Sequence, residues 1–119
     1  MTVLDNFMFA PNSLADCCYQ DNFEVVRGDA RKKSLLKSLV KDKDVVIPLA
    51  ALVGAPLCNR DEIGTLTTNR DAVKTLTEVL SPEQRILMPI TNSGYGVGQE
   101  GIFCTEETPL NPISTYGQT

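Results

Sequence analysis

The chain has 119 residues, of which 42% are hydrophobic and 22% are charged, and these proportions are typical of a globular domain rather than a disordered segment. The formal net charge of −4 disfavours nucleic acid or an anionic membrane as the partner, because proteins that bind either normally carry a basic patch. No apolar run approaches the ~20 residues that span a bilayer, and the N-terminus lacks the basic start of a secretory signal.

The cysteines and the lack of histidine limit the metal sites and the catalytic bases that this chain can provide. The four cysteines form no Cys-x-x-Cys pair, and no histidine is present, so we expect no metal site. We interpret all four as reduced thiols of a cytoplasmic protein. Without an imidazole, Ser-His-Asp hydrolysis is excluded within this chain, and any base must be a tyrosine, a lysine or a carboxylate.

The first half of the chain alternates short apolar runs with polar or amphipathic segments. Residues 2–5, 23–26 and 44–49 are predicted as strands from their apolar and β-branched content. Between them, 11–18 and 31–41 are predicted as helices, the second because its apolar residues share one helical face while its lysines do not.

The second half continues this alternation. A helix is predicted over 60–80 and ends before Pro82, which cannot continue a helix. Residues 85–90 form a predicted strand, a glycine-rich loop covers 94–101, and a last helix starts within 112–119. Strands that alternate with helices indicate right-handed β-α-β units, so we expect an α/β fold with a parallel sheet.

Polar and small residues follow the predicted strands, at the edge where parallel sheets bind ligands. They come in one group per element, in the order Asp5-Asn6, Gly28-Asp29-Ala30, Leu49-Ala50-Ala51, Asn69, Thr91-Asn92-Ser93 and Pro112-Ile-Ser-Thr-Tyr116. Thr91 also stands four positions before the pair Tyr95-Gly96. In this order the groups resemble the extended short-chain dehydrogenases/reductases, the NAD-dependent epimerase/dehydratase family. The resemblance covers essentially the whole chain.

The resemblance implies a Rossmann-type parallel sheet that binds NAD, and a nucleotide sugar as the substrate. It assigns the cofactor contacts to Asp5, Asn6, Asp29, Ala30, Leu49, Ala50, Ala51, Asn69 and Tyr116. Asp5 would bind the adenosine ribose, and its charge would repel the 2′-phosphate of NADP. Asn69 would tie its helix to the neighbouring strand. Taken alone, each residue has a plainer structural interpretation, such as a turn at Asp5 or a packing tyrosine at Tyr116.

Thr91 and Tyr116 are the catalytic residues that the resemblance implies, with Asn92 and Ser93 beside the substrate. A tyrosine with an ordinary pKa near ~10 is a poor base, but a neighbouring lysine and the positive nicotinamide ring would favour its phenolate. The phenolate would remove a hydroxyl proton while hydride leaves the same carbon for NAD. Thr91 would hydrogen-bond the substrate oxygen, and its spacing to Tyr95 favours it over Ser93 in this role.

One departure from the family pattern bears on the reaction type. Dehydratases of the family often carry an Asp-Glu pair directly after the hydroxyl residue, where this chain has Asn92 and Ser93. That departure favours an epimerase or a simple oxidoreductase over a 4,6-dehydratase. Two other interpretations stay open: a non-catalytic nucleotide-binding or sensor protein of the same fold, and a flavodoxin-like module in which the pattern from Thr91 to Tyr116 is chance.

The family pattern also predicts parts that this sequence does not include. We expect the first strand and the glycine-rich phosphate loop before Met1, and the catalytic lysine directly after Thr119. The first strand would lie between the strands at 2–5 and 44–49. We therefore expect residues 1–119 to be a partial NAD(P)-binding domain of a parent enzyme, inactive and marginally stable alone. The oligomeric state of the parent, including a homodimer, is left open.

Overall fold

Four short strands pair in parallel, in agreement with the predicted α/β class. A computed structural model describes residues 1–98, 101 and 103–119, so part of the glycine-rich loop predicted at 94–101 lies outside the described residues. Strand β1 (Thr2–Asp5) pairs with β2 (Glu24–Arg27), and β3 (Val45–Val46) pairs with β4 (Arg85–Ile86). The β1–β2 register runs from Thr2 opposite Glu24 to Asp5 opposite Arg27, which aligns the carboxyl ends of both strands.

Helices and helical turns connect and follow the strands. The α-helices are α1 (Lys33–Val40), α2 (Ala55–Arg60), α3 (Glu62–Thr65), α4 (Ala72–Val79) and α5 (Thr115–Gln118). A π-helical segment (Leu66–Asp71) joins α3 to α4 without a break, and 3₁₀ turns cover Ala15–Cys17 and Asn92–Tyr95. Helix α1 connects β2 to β3, and the run from α2 to α4 connects β3 to β4.

Several elements are shorter than the sequence predicts. The expected helix at 11–18 contains only a 3₁₀ turn, because none of its residues is buried and a short helix needs packing to persist in water. The strands predicted at 44–49 and 85–90 each keep two paired residues, and both stretches contain a proline that cannot donate to a ladder. The helix predicted over 60–80 is continuous from Glu62 to Val79 in the structure, and it begins after Asp61, whose Oδ1 accepts from Gly64 N and caps α3.

The buried core lies between the helices and one face of the strands. Leu36 and Val40 of α1 and Leu76 of α4 are at most 7% exposed and form one cluster. Leu4 of β1 and Val46 of β3 pack against that same cluster. Both strand pairs therefore rest on one helical layer, which sets where their carboxyl ends lie.

The two strand pairs are not bonded to each other. In the described part of the chain, β1 pairs only with β2 and β3 only with β4, so one edge of β1 and one edge of β3 have no ladder partner. A further strand between them stays a prediction. On the face away from α1 and α4, Val45 is 51% and Ile47 is 50% exposed. None of the helices among the described residues combines the length and apolar character needed to cross a membrane.

Candidate functional site

The chain turns sharply where β1 ends, and two predicted cofactor residues form that turn. Asp5 is the last residue of β1, and its Oδ1 accepts a hydrogen bond from Phe7 N at 2.6 Å. Asn6 Oδ1 accepts from Met8 N at 3.0 Å. Phe7 has a φ of 58°, a left-handed conformation that residues other than glycine rarely adopt. Two consecutive side-chain-to-backbone turns thus hold Asp5 at the strand end.

Asp29 lies at the same edge, just beyond β2. Gly28 N donates to the Asp5 carbonyl oxygen at 2.9 Å, which extends the ladder and brings the two loops side by side. The Asp29 carboxylate accepts from Arg31 Nη2 at 2.6 Å, from Arg31 Nε at 3.0 Å and from Arg31 N at 2.9 Å. These hydrogen bonds hold the pKa of the Asp29 carboxyl below its usual value, and the Asp29 carboxylate raises the pKa of Arg31. Ala30 between them is half-buried.

Arg31 is a residue that the sequence reasoning missed. Besides pairing with Asp29, its Nη1 donates to Thr67 Oγ1 at 3.3 Å, and it thereby connects the loop after β2 to the π-helical segment. The available signal was a basic residue two positions after an acidic one, but that pattern is common on surfaces and does not identify a site. The Asp29 carboxylate that a ligand would meet is therefore already paired with a cation, the Arg31 guanidinium.

The loop after β3 is anchored by Asn69. Asn69 is 8% exposed; its Oδ1 accepts from Leu52 N and its Nδ2 donates to Leu52 O, both at 2.9 Å. This pair of bonds ties the π-helical segment to the residue directly after Leu49, Ala50 and Ala51. Leu49 is 70% exposed, Ala50 is exposed and Ala51 is half-buried, so this small-residue stretch lies open beside an anchored residue. A cofactor contact for Asn69 stays a prediction.

Two fully buried residues support the anchor, and sequence reasoning did not identify their role. Cys58 Sγ donates at 3.3 Å to the Leu52 carbonyl oxygen, which also accepts from Asn69 Nδ2. The Thr65 hydroxyl donates to Asp61 O at 2.8 Å and also lies 3.3 Å from Cys58 O. Because these polar groups are satisfied inside the fold, the loop carrying Ala50 and Ala51 is held by a connected set of hydrogen bonds.

Thr91 begins the 3₁₀ turn Asn92–Tyr95 as its N-terminal cap. Its Oγ1 accepts from Ser93 N at 3.2 Å and donates to Ser93 Oγ at 3.2 Å. Gly94 N donates to the Thr91 carbonyl oxygen at 3.2 Å. Thr91 and Ser93 are half-buried, whereas Asn92 is exposed. The turn therefore fixes the orientation of the Thr91 hydroxyl.

Tyr116 lies on helix α5, which packs against the turn that follows Thr91. Ser114 caps α5, its Oγ accepting from Gly117 N at 3.1 Å. Asn111 N donates to the carbonyl oxygen of Gly94 at 2.9 Å and joins the segment before α5 to the turn. The structure thus brings the elements of Thr91 and half-buried Tyr116 together, although the two residues are far apart in sequence.

A cavity of about 420 Å³ opens beside this turn. Its lining residues are Ile90, Thr91, Asn92, Tyr95, Glu106, Thr108 and Leu110. Thr91 and Asn92 belong to the predicted site, whereas Ser93 and Tyr116 are not part of this lining among the described residues. Sequence reasoning missed Tyr95, Glu106 and Thr108 as lining residues, because their motifs predict a loop but not the direction of its side chains. The cavity combines apolar walls with residues that carry hydroxyl, amide and carboxylate groups.

Comparison with known proteins places this geometry in context. Residues 2–119 match the family described as NAD dependent epimerase/dehydratase. A curated relative, the low-salt glycan biosynthesis protein Agl12 of Haloferax volcanii, is 29% identical over 123 residues. That alignment covers 100% of this chain but 39% of Agl12.

Solved structures share the fold. The dTDP-glucose 4,6-dehydratase DesIV of Streptomyces venezuelae, solved with NAD and TYD bound, matches with a TM-score of 0.89 and 26% identity, over 98% of this chain and 37% of that chain. The UDP-Glc/GlcNAc 4-epimerase of Campylobacter jejuni matches with a TM-score of 0.86 and 21% identity, over 98% and 37% of the two chains. The chain therefore spans about two fifths of the length of the relatives it matches.

Proposed function

Because this chain belongs to the NAD-dependent epimerase/dehydratase family, we propose that it supplies the cofactor-binding part of an NAD-dependent nucleotide-sugar epimerase or related oxidoreductase. The observation that carries this proposal is the packing of α5, with Tyr116, against the turn capped by Thr91, next to a cavity that Thr91 and Asn92 help to line. Solved relatives named for UDP- and dTDP-sugars support a nucleotide sugar as the substrate. The proposal concerns the whole protein, since this chain spans only part of its relatives.

The loops at the carboxyl ends of β1 and β2 suit the adenosine end of NAD. The loops that carry Asp5 and Asp29 lie side by side there, and carboxylates accept hydrogen bonds from ribose hydroxyls and from an adenine amino group. Ala50 and Ala51, after β3, have side chains small enough for close approach of the cofactor. When bound, NAD would accept a hydride from the substrate carbon.

Tyr116 would remove the substrate proton in this reaction, and Thr91 would position the substrate oxygen. The Tyr116 phenolate oxygen would take the proton of the substrate hydroxyl. The substrate oxygen would then become a carbonyl oxygen as the carbon that carries it loses hydride. The Thr91 hydroxyl would turn its one proton from Ser93 Oγ to the same substrate oxygen and hold it in line. The hydrogen bond that Ser93 N donates to Thr91 Oγ1 supports this role, because it restricts the Thr91 side chain before the substrate arrives.

A 4,6-dehydratase is a second candidate. DesIV, a dehydratase, is 26% identical to this chain with a TM-score of 0.89. Asn92 and Ser93 stand where many dehydratases carry carboxylates, but Glu106 contributes a carboxylate to the cavity wall from another segment. Glu106 would be the candidate acid or base for water elimination. The two reactions differ in product mass, because an epimer keeps the mass of its substrate and a dehydratase product is lighter by one water.

The deciding experiment incubates the whole protein and NAD with UDP- and dTDP-sugars and analyses the products by mass spectrometry and NMR. Tyr116→Phe should lower kcat about 10²- to 10⁴-fold, the range for losing a positioned acid-base group, while NAD still binds. Tyr19→Phe is the matched control, since Tyr19 is 79% exposed and outside the site. Retention of most activity by Tyr116→Phe would refute the assigned role. NAD binding without any turnover by the wild type would instead favour a sensor protein of this fold.

A further inference from the structure

Gly117 lies where α5 meets the turn that follows Thr91. A β-carbon at position 117 would lie 2.6 Å from the Ser93 carbonyl oxygen, 3.1 Å from its carbonyl carbon and 3.0 Å from Pro112 Cβ. Ordinary contacts of a β-carbon begin at 3.4 Å. The nearest obstacle is main chain, which cannot rotate aside as a flexible side chain can. The observed approach of α5 to the turn therefore requires glycine at this position.

Further backbone contacts close the same interface. Asn111 N donates to the Gly94 carbonyl oxygen at 2.9 Å, and Gly96, with a φ of 77°, lies against the Asn111 carbonyl oxygen. Among the described residues other than its chain neighbours, none has an atom within 4 Å of the β-carbon position of Gly98, a few residues further on. Of these three glycines, only Gly96 and Gly117, at the contact between the turn and the segment that carries α5, are crowded.

This contact connects the two hydroxyl-bearing residues. Ser93 N donates to Thr91 Oγ1, so the position of Ser93 determines the orientation of the Thr91 hydroxyl. Gly117 directly follows Tyr116, and its N–H is held by the Ser114 cap. The close approach of Gly117 to the main chain of Ser93 thus connects the two candidate catalytic residues.

We propose that Gly117 is a positioning residue, whose missing side chain sets the separation between the Thr91 hydroxyl and the Tyr116 phenol. This inference rests on the proposed function, because the separation matters only if both oxygens address one substrate oxygen. A methyl group at 117 would have to move from 2.6 to 3.4 Å from the Ser93 oxygen to restore an ordinary contact. Displacement of a reacting group by ~1 Å can lower a rate about 100-fold.

The test compares Gly117→Ala with Gly98→Ala in the whole protein with NAD. Gly117→Ala should lower kcat about 10- to 100-fold, with the KM for the nucleotide sugar and the NAD dissociation constant within about twofold of wild type. Gly98→Ala should match the wild type in all three, because its methyl group meets no side chain or main chain from elsewhere in the described part of the chain. Crystal structures should show the distance from Thr91 Oγ1 to Tyr116 Oη longer by roughly 0.5 Å or more in Gly117→Ala alone.

A folded Gly117→Ala protein with wild-type kcat, or with an unchanged distance between those two oxygens, would overturn the inference. If that variant does not fold, Ser114→Ala decides: it releases Gly117 N–H without adding an atom, and should lower kcat about three- to tenfold at constant KM. A wild-type kcat for Ser114→Ala would then overturn the inference. Absence of NAD-linked turnover in the wild type would refute the proposed function instead, and the crystallographic distance would still test Gly117.

Discussion

Replacement of Asn69 by alanine should destabilise the fold more than any comparable surface change. Asn69 accepts a hydrogen bond from Leu52 N and donates one to Leu52 O, both at 2.9 Å, and Leu52 is only 4% exposed. Loss of the amide leaves the buried Leu52 N–H without a partner, at about 1–3 kcal/mol, and removes one of the two hydrogen bonds to Leu52 O, at about 0.5–1.5 kcal/mol, since Cys58 Sγ still donates to that oxygen. We expect a loss of about 2–4 kcal/mol, against a total stability of roughly 5–15 kcal/mol for an ordinary domain.

Urea unfolding of the whole protein, followed by circular dichroism at the helical band, measures this loss. With a slope of about 2 kcal/mol per molar urea, in the middle of the usual range, the midpoint should fall by roughly 1–2 M. Asn59→Ala is the matched control: Asn59 is exposed on α2, and its replacement should change stability by less than about 0.5 kcal/mol. An equal, small change in both variants would show that the Asn69 bonds contribute nothing net.

Two further predictions concern the carboxylates at the strand ends. Asp29→Asn should cost about 0.2–1 kcal/mol at neutral pH, the range for a partly exposed ion pair, because it removes the pairing with Arg31. The Arg31 hydrogen bonds lower the folded-state pKa of Asp29. The stability that they contribute is therefore present above the unfolded-state pKa near ~3.9 and is lost as pH falls through the lower, folded-state pKa. Urea midpoints of the wild type and Asp29→Asn, measured from neutral to acid pH, should converge, and a constant difference would contradict the reasoning. Asp5→Asn should raise the affinity for NADP relative to NAD roughly fivefold to tenfold in fluorescence titrations, because it removes a charge that repels the 2′-phosphate, and an unchanged ratio would place the adenosine ribose elsewhere.

Elements with a strong local signal were predicted well. Helix α1 was expected because its apolar residues recur on one face, and Leu36 and Val40 on that face are buried in the structure. The parallel α/β class followed from the alternation of elements, and β1 and β2 lie within a residue of their predicted positions. Where burial did not support the pattern, as at 11–18, the predicted helix is reduced to one turn.

The sequence by itself determined the order of chemical groups at the strand ends and the family to which the chain belongs, because motif order and apolar periodicity are written along the chain. Only the tertiary structure decided which distant groups meet: Arg31 on Thr67, Asn69 on Leu52, and Gly117 on Ser93. Such contacts depend on how whole elements pack, and a local pattern carries little information about the side chain or main chain that a residue faces across a fold.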